Sequence, residues 1–288
     1  MKNKYLPSLR LRTLPLSMSG IILGSGMAYP LAEHSPRTWV IIVLALLTTV
    51  CLQTISNLSN ELGDYLRGTD ADQKGRAPYG MQAGVISVAE MKRLIGVFIV
   101  LSAVAGTALV WTSFGTLCSV QSAVFIVFGV LAIVAAMAYT LGKHNYGYKG
   151  LGDLGVFLFF GLLSTLGSYY LLAHTLTVEA ALAAVAIAMP IVGVLNLNNV
   201  RDIDNDQRHG KLTFASRLGK TGGKVYHTLL LMVCYVLFVC IGRYWVLLTL
   251  PVIGWHVWYI FRHDGHALDI QMPVLMFTTI TIALLAIV

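Results

Sequence analysis

The sequence predicts an all-α fold, a polytopic membrane bundle of about nine transmembrane helices, and three observations carry that prediction. Hydrophobic residues make up 57% of the chain and charged residues 11%, with a mean hydropathy of +0.74, whereas soluble domains carry about 25% charged residues. Apolar runs recur along the whole length, many close to the ~20 residues that cross a bilayer. The basic residues, finally, fall almost entirely in alternate connections between those runs.

The first span, 13–32, follows the basic N-terminal residues Lys2, Lys4, Arg10 and Arg12 and has no convincing cleavage site, so it reads as a retained helix. Gly20 and Gly24 in it form a small-xxx-small pair suited to close helix packing. The second span, 39–63, ends in an Asn- and acid-rich stretch, and the third, 94–112, begins after Lys92-Arg93. The fourth, 120–141, runs to Lys143, and the fifth, 152–174, follows Lys149. The sixth, 178–200, holds Pro190, which suggests a kink or a locally opened helix. The seventh, eighth and ninth cover 225–241, 244–261 and 271–288. Residues 1–288 read as one domain, with the longer connections 64–92 and 201–224 capping a site on one face.

The N-terminus and the connections after spans two, four, six and eight hold 18 of the 20 Lys and Arg residues; only Arg37 and Arg243 lie on the other side. The positive-inside rule then puts the N-terminus in the cytoplasm and the C-terminus outside. This topology, with attraction to anionic headgroups of membrane lipid, accounts for the pI of 9.3 and leaves no need for a nucleic-acid partner. The four cysteines sit in or beside spans without metal-type spacing and read as packing residues.

Acidic residues are scarce and clustered. Seven of the 13 fall within residues 61–72 and 202–206, at the cytoplasmic ends of spans two and six: Glu61, Asp64, Asp70, Asp72, Asp202, Asp204 and Asp206. Four spans separate the clusters, so their parent helices run the same way, a hint of a duplicated four-helix unit. Asn60 and Asp64 share a helix face, and Asn198, Asp202 and Asp206 repeat the four-residue spacing. A helix C-terminus disfavours carboxylates and favours cations. Carboxylate and amide oxygens without a His–Cys set suit Mg²⁺, which completes its shell with water and phosphate. Arg67, Lys74, Arg76, Arg201, Arg208, Lys211 and Arg217 flank the clusters and suit a phosphate partner, although each also fits an ordinary basic loop. Metal, bases and apolar bundle together point to a lipid diphosphate whose leaving group two Mg²⁺ ions neutralise. Tyr139, Tyr146 and Tyr148 offer ring faces to an allylic cation, and equally fit an interfacial aromatic belt.

The blocks Arg12-Thr13-Leu14-Pro15, Ser59-Asn60 through Gly63-Asp64 to Gly68-Thr69-Asp70, Gly80-Met81-Gln82, Tyr146-Gly147-Tyr148 to Asp153, and Asn198-Asn199 through Arg201-Asp202, Asp206, Gly210-Lys211 and Thr213 to Gly219 follow one another in order. On these blocks the chain resembles the UbiA superfamily of intramembrane aromatic prenyltransferases, and within it the branch that acts on 1,4-dihydroxy-2-naphthoate in bacterial menaquinone synthesis. The resemblance implies a bacterial inner-membrane enzyme transferring a polyprenyl group from polyprenyl diphosphate to that naphthoate, with loss of CO2 and diphosphate. It also implies that Asn60, Asp64, Asp70, Asp202 and Asp206 hold Mg²⁺ and the diphosphate. Arg12, Lys74, Asn199, Arg201 and Lys211, with Tyr139 and Tyr146, are then the substrate-binding set. Glu61 departs from the pattern, since relatives often carry Asp directly after the Asn. Asp153 reads either as a participant in the reaction or as a loop-stabilising acid. Competing readings are another acceptor such as 4-hydroxybenzoate, a CDP-alcohol phosphotransferase, whose aspartate series is not found here, and a secondary transporter, whose acids belong nearer the midplane.

Overall fold

The computed structural model describes residues 4–69, 79–143 and 145–288. Among these the fold is helical, without strands, and nine helices are long and apolar enough to cross a membrane. They are α1 (Leu6–Leu31), α2 (Pro36–Arg67), α3 (Val88–Phe114), α4 (Val120–Ala138), α5 (Gly152–Ala173), α6 (Val178–Arg201), α7 (Phe214–Cys240), α8 (Tyr244–Arg262) and α9 (Gly265–Leu285). Nine spans in the expected order are therefore present, but several ends differ from the hydropathy reading because capping groups, not polarity, set them.

Helix α2 runs past residue 63 to Arg67, and it stops where Gly68 (φ 72°) turns left-handed and returns its N–H to Asp64 and Tyr65 carbonyls. Helix α3 starts at Val88, not near residue 94, because Ser87 and Glu90 form a reciprocal capping box. Helix α7 starts at Phe214, well ahead of residue 225, where the Thr213 hydroxyl accepts the Ser216 N–H at 3.1 Å. Its first turns are offset from the rest at Gly219, whose φ of 74° breaks the helix. Within α5, Phe157–Leu163 forms a π-helical turn.

Helix α6 is the most deeply enclosed, packed on α7 and α9 through Ile187, Ile191, Leu197, Leu231 and Leu275. A second apolar cluster joins α1, α2 and α5, and a third joins α2 and α3 with Met81 and Ile86 of the connection between them. Helix α4 is peripheral, exposing Val124, Val127, Val130, Leu131 and Val134. A surface of that extent needs lipid, not water, against it. At the end of the bundle away from the acidic clusters, Arg37 donates to the carbonyls of Thr112 (2.7 Å) and Ser113 (2.9 Å), closing the C-terminus of α3. Arg243 pairs with Glu179 at 2.7 Å on the same side.

Helices α1 and α5 approach at their backbones. A Cβ at Gly24 would collide with the Thr165 carbonyl oxygen, and one at Gly20 with the Ser164 hydroxyl. Gly129, in contrast, has nothing within 4 Å of a Cβ position. Gly24→Val is therefore expected to cost about 1–3 kcal/mol by overpacking, read as a lowered Tm in detergent, while Gly129→Ala leaves Tm unchanged. Equal melting of the Gly24→Val and unsubstituted proteins would disprove the backbone contact.

Candidate active site at the acidic end of the bundle

The last turns of α2 present Asn60 and Asp64 on one face, both against a central cavity. Thr140 Oγ1 donates to the Ser59 carbonyl (2.8 Å) and to Asn60 Oδ1 (3.3 Å). This requires Gly63, where a Cβ would stand 2.6 Å from Thr140. The Tyr148 hydroxyl donates to Asp64 Oδ1 at 2.8 Å and lies 2.7 Å from Thr69 Oγ1. Glu61 points elsewhere, as a helix position one residue on must. It is fully buried, and its Oε1 accepts from the Met81 N–H (2.9 Å) and from Ser8 Oγ (3.2 Å). Glu61 thus ties the N-terminal turn and the 79–86 connection to α2.

The second cluster departs from a continuous ladder. Helix α6 ends at Asp202 (φ −97°, ψ 9°), and a short helix, Ile203–Arg208, resumes beyond it. Arg201 forks onto both Asp202 oxygens and donates to Asp269 Oδ1 (2.6 Å) and Asn198 Oδ1 (2.7 Å). Asp206 is buried, with Lys211 Nζ 3.6 Å from its Oδ1 and its Oδ2 without a partner. The turn back from the short helix passes through Gly210 (φ 69°) and a bond from Lys211 N–H to the Asp206 carbonyl (2.8 Å). Two contacts join the clusters: Asn205 Nδ2 donates to the Thr69 carbonyl (3.0 Å), and the Leu212 N–H donates to the Tyr148 carbonyl (3.1 Å).

The electrostatics follow from burial. Burial raises the Asp206 carboxyl to about 6 against the pull of Lys211, with Asp202 and Asp64 pushing the same way as burial. Burial opposes the charge on Lys211, but Asp64 and then Asp206 outweigh it, and the ammonium titrates above its ordinary value. Burial likewise raises the Tyr139 and Tyr148 phenols, and lifts Tyr146 to about 12, so all three remain hydrogen-bond donors at neutral pH. Among the described residues these carboxylates crowd one another around one ammonium, that of Lys211, which leaves room for a further cation. The donors are oxygen only, and among the described residues no group of three or more His, Cys, Asp or Glu could enclose a metal by itself. That set fits Mg²⁺, which takes few carboxylates and keeps water and phosphate as its other ligands. It does not fit a closed zinc site.

A cavity of about 450 Å³ runs inward from this end between α1, α2, α3, α4, α5 and α6. Asn60, Asp64, Tyr139, Tyr146 and Lys211 line it. Tyr139 and Tyr146 meet edge to face, centroids 5.4 Å apart, against glycines of α5: a Cβ at Gly155 would come within 2.6 Å of Tyr146, and one at Gly152 within 3.0 Å of Tyr139. The deeper wall is apolar, with Phe125, Phe128, Phe159 and Phe160, and with a few hydroxyls such as Thr48 and Ser102.

Other expected site residues stand apart from the cavity. Asp202 and Arg201 pair with each other beside it, because the helix breaks there. Arg12 is exposed and does not line it. Asn199 is buried one position round α6 from the lining residue Asn198, and its Oδ1 has no partner. Asp70 and Lys74 lie outside the described residues. Asp153 lies beside the Tyr226 side chain of α7. Unforeseen lining residues are Arg10, Thr13, Gln53 and Asn57. The signal for two of them was present: Gln53, Asn57, Asn60 and Asp64 fall at i, i+4, i+7 and i+11, one continuous polar face of an otherwise apolar helix.

The UbiA prenyltransferase family model matches residues 20–280. A 1,4-dihydroxy-2-naphthoate octaprenyltransferase of Escherichia coli K12 is 43% identical over 81% of this chain and 75% of its own length. One from Haemophilus influenzae is 37% identical over 88% of this chain and 83% of its own length. A solved UbiA homolog from Archaeoglobus fulgidus, bound to DMAPP and Mg²⁺, superimposes with a TM-score of 0.66 over 99% of both chains at 18% identity, which shows a shared fold. A bundle of nine spans, two acidic clusters closed around one lysine and the sequence match over most of the chain agree: this protein belongs to the UbiA prenyltransferase family.

Proposed function

We propose that the protein transfers a polyprenyl group from polyprenyl diphosphate to 1,4-dihydroxy-2-naphthoate, releasing diphosphate and CO2 and giving a demethylmenaquinol, the reduced form of a demethylmenaquinone. The observation that carries the reading is the placing of Asn60, Asp64 and Lys211 at the mouth of an apolar cavity, with Asp206 paired to Lys211 behind them. The choice of acceptor is supported by the naphthoate octaprenyltransferases to which the chain is similar.

The chain's own groups suit the task. Asn60, Asp64, Asp202 and Asp206, with Asp70, form the proposed ligand set for two Mg²⁺ ions, which would supply countercharge to the diphosphate. Tyr148 holds Asp64 by donating to it, and Lys211 places a cation beside both clusters. Cleavage of the carbon–oxygen bond leaves an allylic cation, which the apolar wall shields from water and the Tyr139 and Tyr146 ring faces stabilise. The electron-rich naphthoate ring attacks that carbon, and its carboxylate departs as CO2. The protein sits in a bacterial cytoplasmic membrane with its N-terminus and both clusters on the cytoplasmic side, as the basic connections imply.

Asp64→Ala and Asp202→Ala are expected to abolish product while leaving the gel-filtration profile in detergent unchanged; turnover in both variants would remove the metal-site reading. Chelation should stop the reaction of the purified protein, and added Mg²⁺ should restore it. Offered dihydroxynaphthoate and 4-hydroxybenzoate together, the protein should form only the naphthoate product by mass, and product from 4-hydroxybenzoate alone would refute the acceptor assignment. For topology, Cys118 is exposed in the turn before α4, at the end opposite the clusters. A membrane-impermeant maleimide should label it from outside in intact spheroplasts, and labelling only after permeabilisation would invert the orientation.

A further inference from the structure

The cavity holds two basic side chains among the described residues, Arg10 and Lys211, and they stand in different surroundings. Lys211 belongs to the acidic clusters. Among the described residues Arg10 pairs with no carboxylate. Its guanidinium lies over the Tyr79 ring, 4.1 Å from the centroid, and its buried Nε has no hydrogen-bond partner. Its backbone is left-handed (φ 47°, ψ 51°), a conformation costly for a residue with a Cβ. Such an outlier at a cavity is a reason to ask what it serves.

The surroundings are built to hold it there. Thr13 Oγ1 donates to the Arg10 carbonyl (3.0 Å) and in turn accepts from Gln53 Nε2 (3.0 Å) and Asn57 Nδ2 (3.1 Å). Asn57 also donates to the Leu9 carbonyl (3.2 Å). On the other side, buried Glu61 fastens Ser8, two residues before Arg10. Asn57 precedes Asn60 by one helical turn, about 5 Å along α2. The Arg10 corner thus lies just inside the acidic mouth.

We propose that Arg10 anchors the carboxylate of the aromatic acceptor, with Thr13, Gln53 and Asn57 forming the polar wall beside it. The assignment rests on the transferase reading above. An aromatic acid entering this cavity meets Asp64 and a diphosphate, both of its own sign. It needs a cation that the diphosphate end does not already use, and Arg10 meets that need with a fork matched to a carboxylate. A neutral acceptor would not need it.

The test compares two acceptors, 1,4-dihydroxy-2-naphthoate and 1,4-dihydroxynaphthalene, which lacks the carboxylate, using full-length protein in detergent with Mg²⁺ and a polyprenyl diphosphate. Arg10→Gln should raise KM for the acid roughly ten- to hundredfold, the loss expected for a charged hydrogen bond. It should leave KM for the polyprenyl diphosphate and turnover of the carboxylate-free diol near the unsubstituted values. Arg10→Lys, which keeps the charge and loses the fork, should fall between, and it serves as the probe if the Gln variant melts early. Equal losses on acid and diol, or a raised KM for the diphosphate substrate, would overturn the anchor while leaving the transferase intact. No product from either acceptor with the unsubstituted protein would overturn the transferase reading and the anchor with it.

Discussion

One constraint organises this protein: carboxylates must be kept charged at the rim of an apolar bundle. Helices α2 and α6 both deliver acids at C-terminal ends, where the helix dipole already opposes them. Lys211 is a cation the chain itself supplies there, and its position depends on the Gly210 turn, on the short helix before it and on the Leu212–Tyr148 backbone bond. Tyr148 completes the arrangement from the third side by donating to Asp64. Among the described residues, Asp64, Asp202 and Asp206 outnumber Lys211 and Arg201 beside them, and that surplus of negative charge suits the proposed Mg²⁺ site.

The same constraint explains why the spans and clusters were legible in the sequence while the rest was not. Hydropathy and the one-sided distribution of Lys and Arg report on solvent, and solvent decides which segments lie in lipid. The acids stood out because charge is rare in such a chain. Helix ends were less legible, since the Ser87–Glu90 box and the Thr213 cap extend α3 and α7 into polar stretches that hydropathy leaves outside. The four-residue spacing read correctly along α2, where the helix is continuous through Asp64. It failed along α6, because Arg201 turns back onto Asp202 as the helix breaks. Glu61 and Asn199 show the limit of motif reading: each adjoins a lining residue in sequence, yet is buried away from the cavity.

Small residues do two opposite things in this bundle. Gly63, Gly152 and Gly155 let backbone and rings come into contact at the mouth, and these contacts fix where Thr140, Tyr139 and Tyr146 stand. Gly106, Gly129 and Gly167 line the cavity with open space or ordinary contacts around them. Tight contact at the mouth and spare room deeper in give one rigid, polar end and one accommodating, apolar end. That division matches a substrate with a fixed head and a long tail.

The π-helical turn in α5 amounts to one residue more than an α-helix of the same rise would hold. Without it, the two halves of the helix would be rotated against each other by about 100°. Gly152 and Gly155 before the turn meet Tyr139 and Tyr146, while Thr165 and Ser168 after it meet the glycines of α1. Both faces can be right at once only because the phase slips between them. Deleting a single residue from Phe157–Leu163 would therefore be a change of angle more than of length: one half of α5 could keep its partners only by turning the other half away from its own.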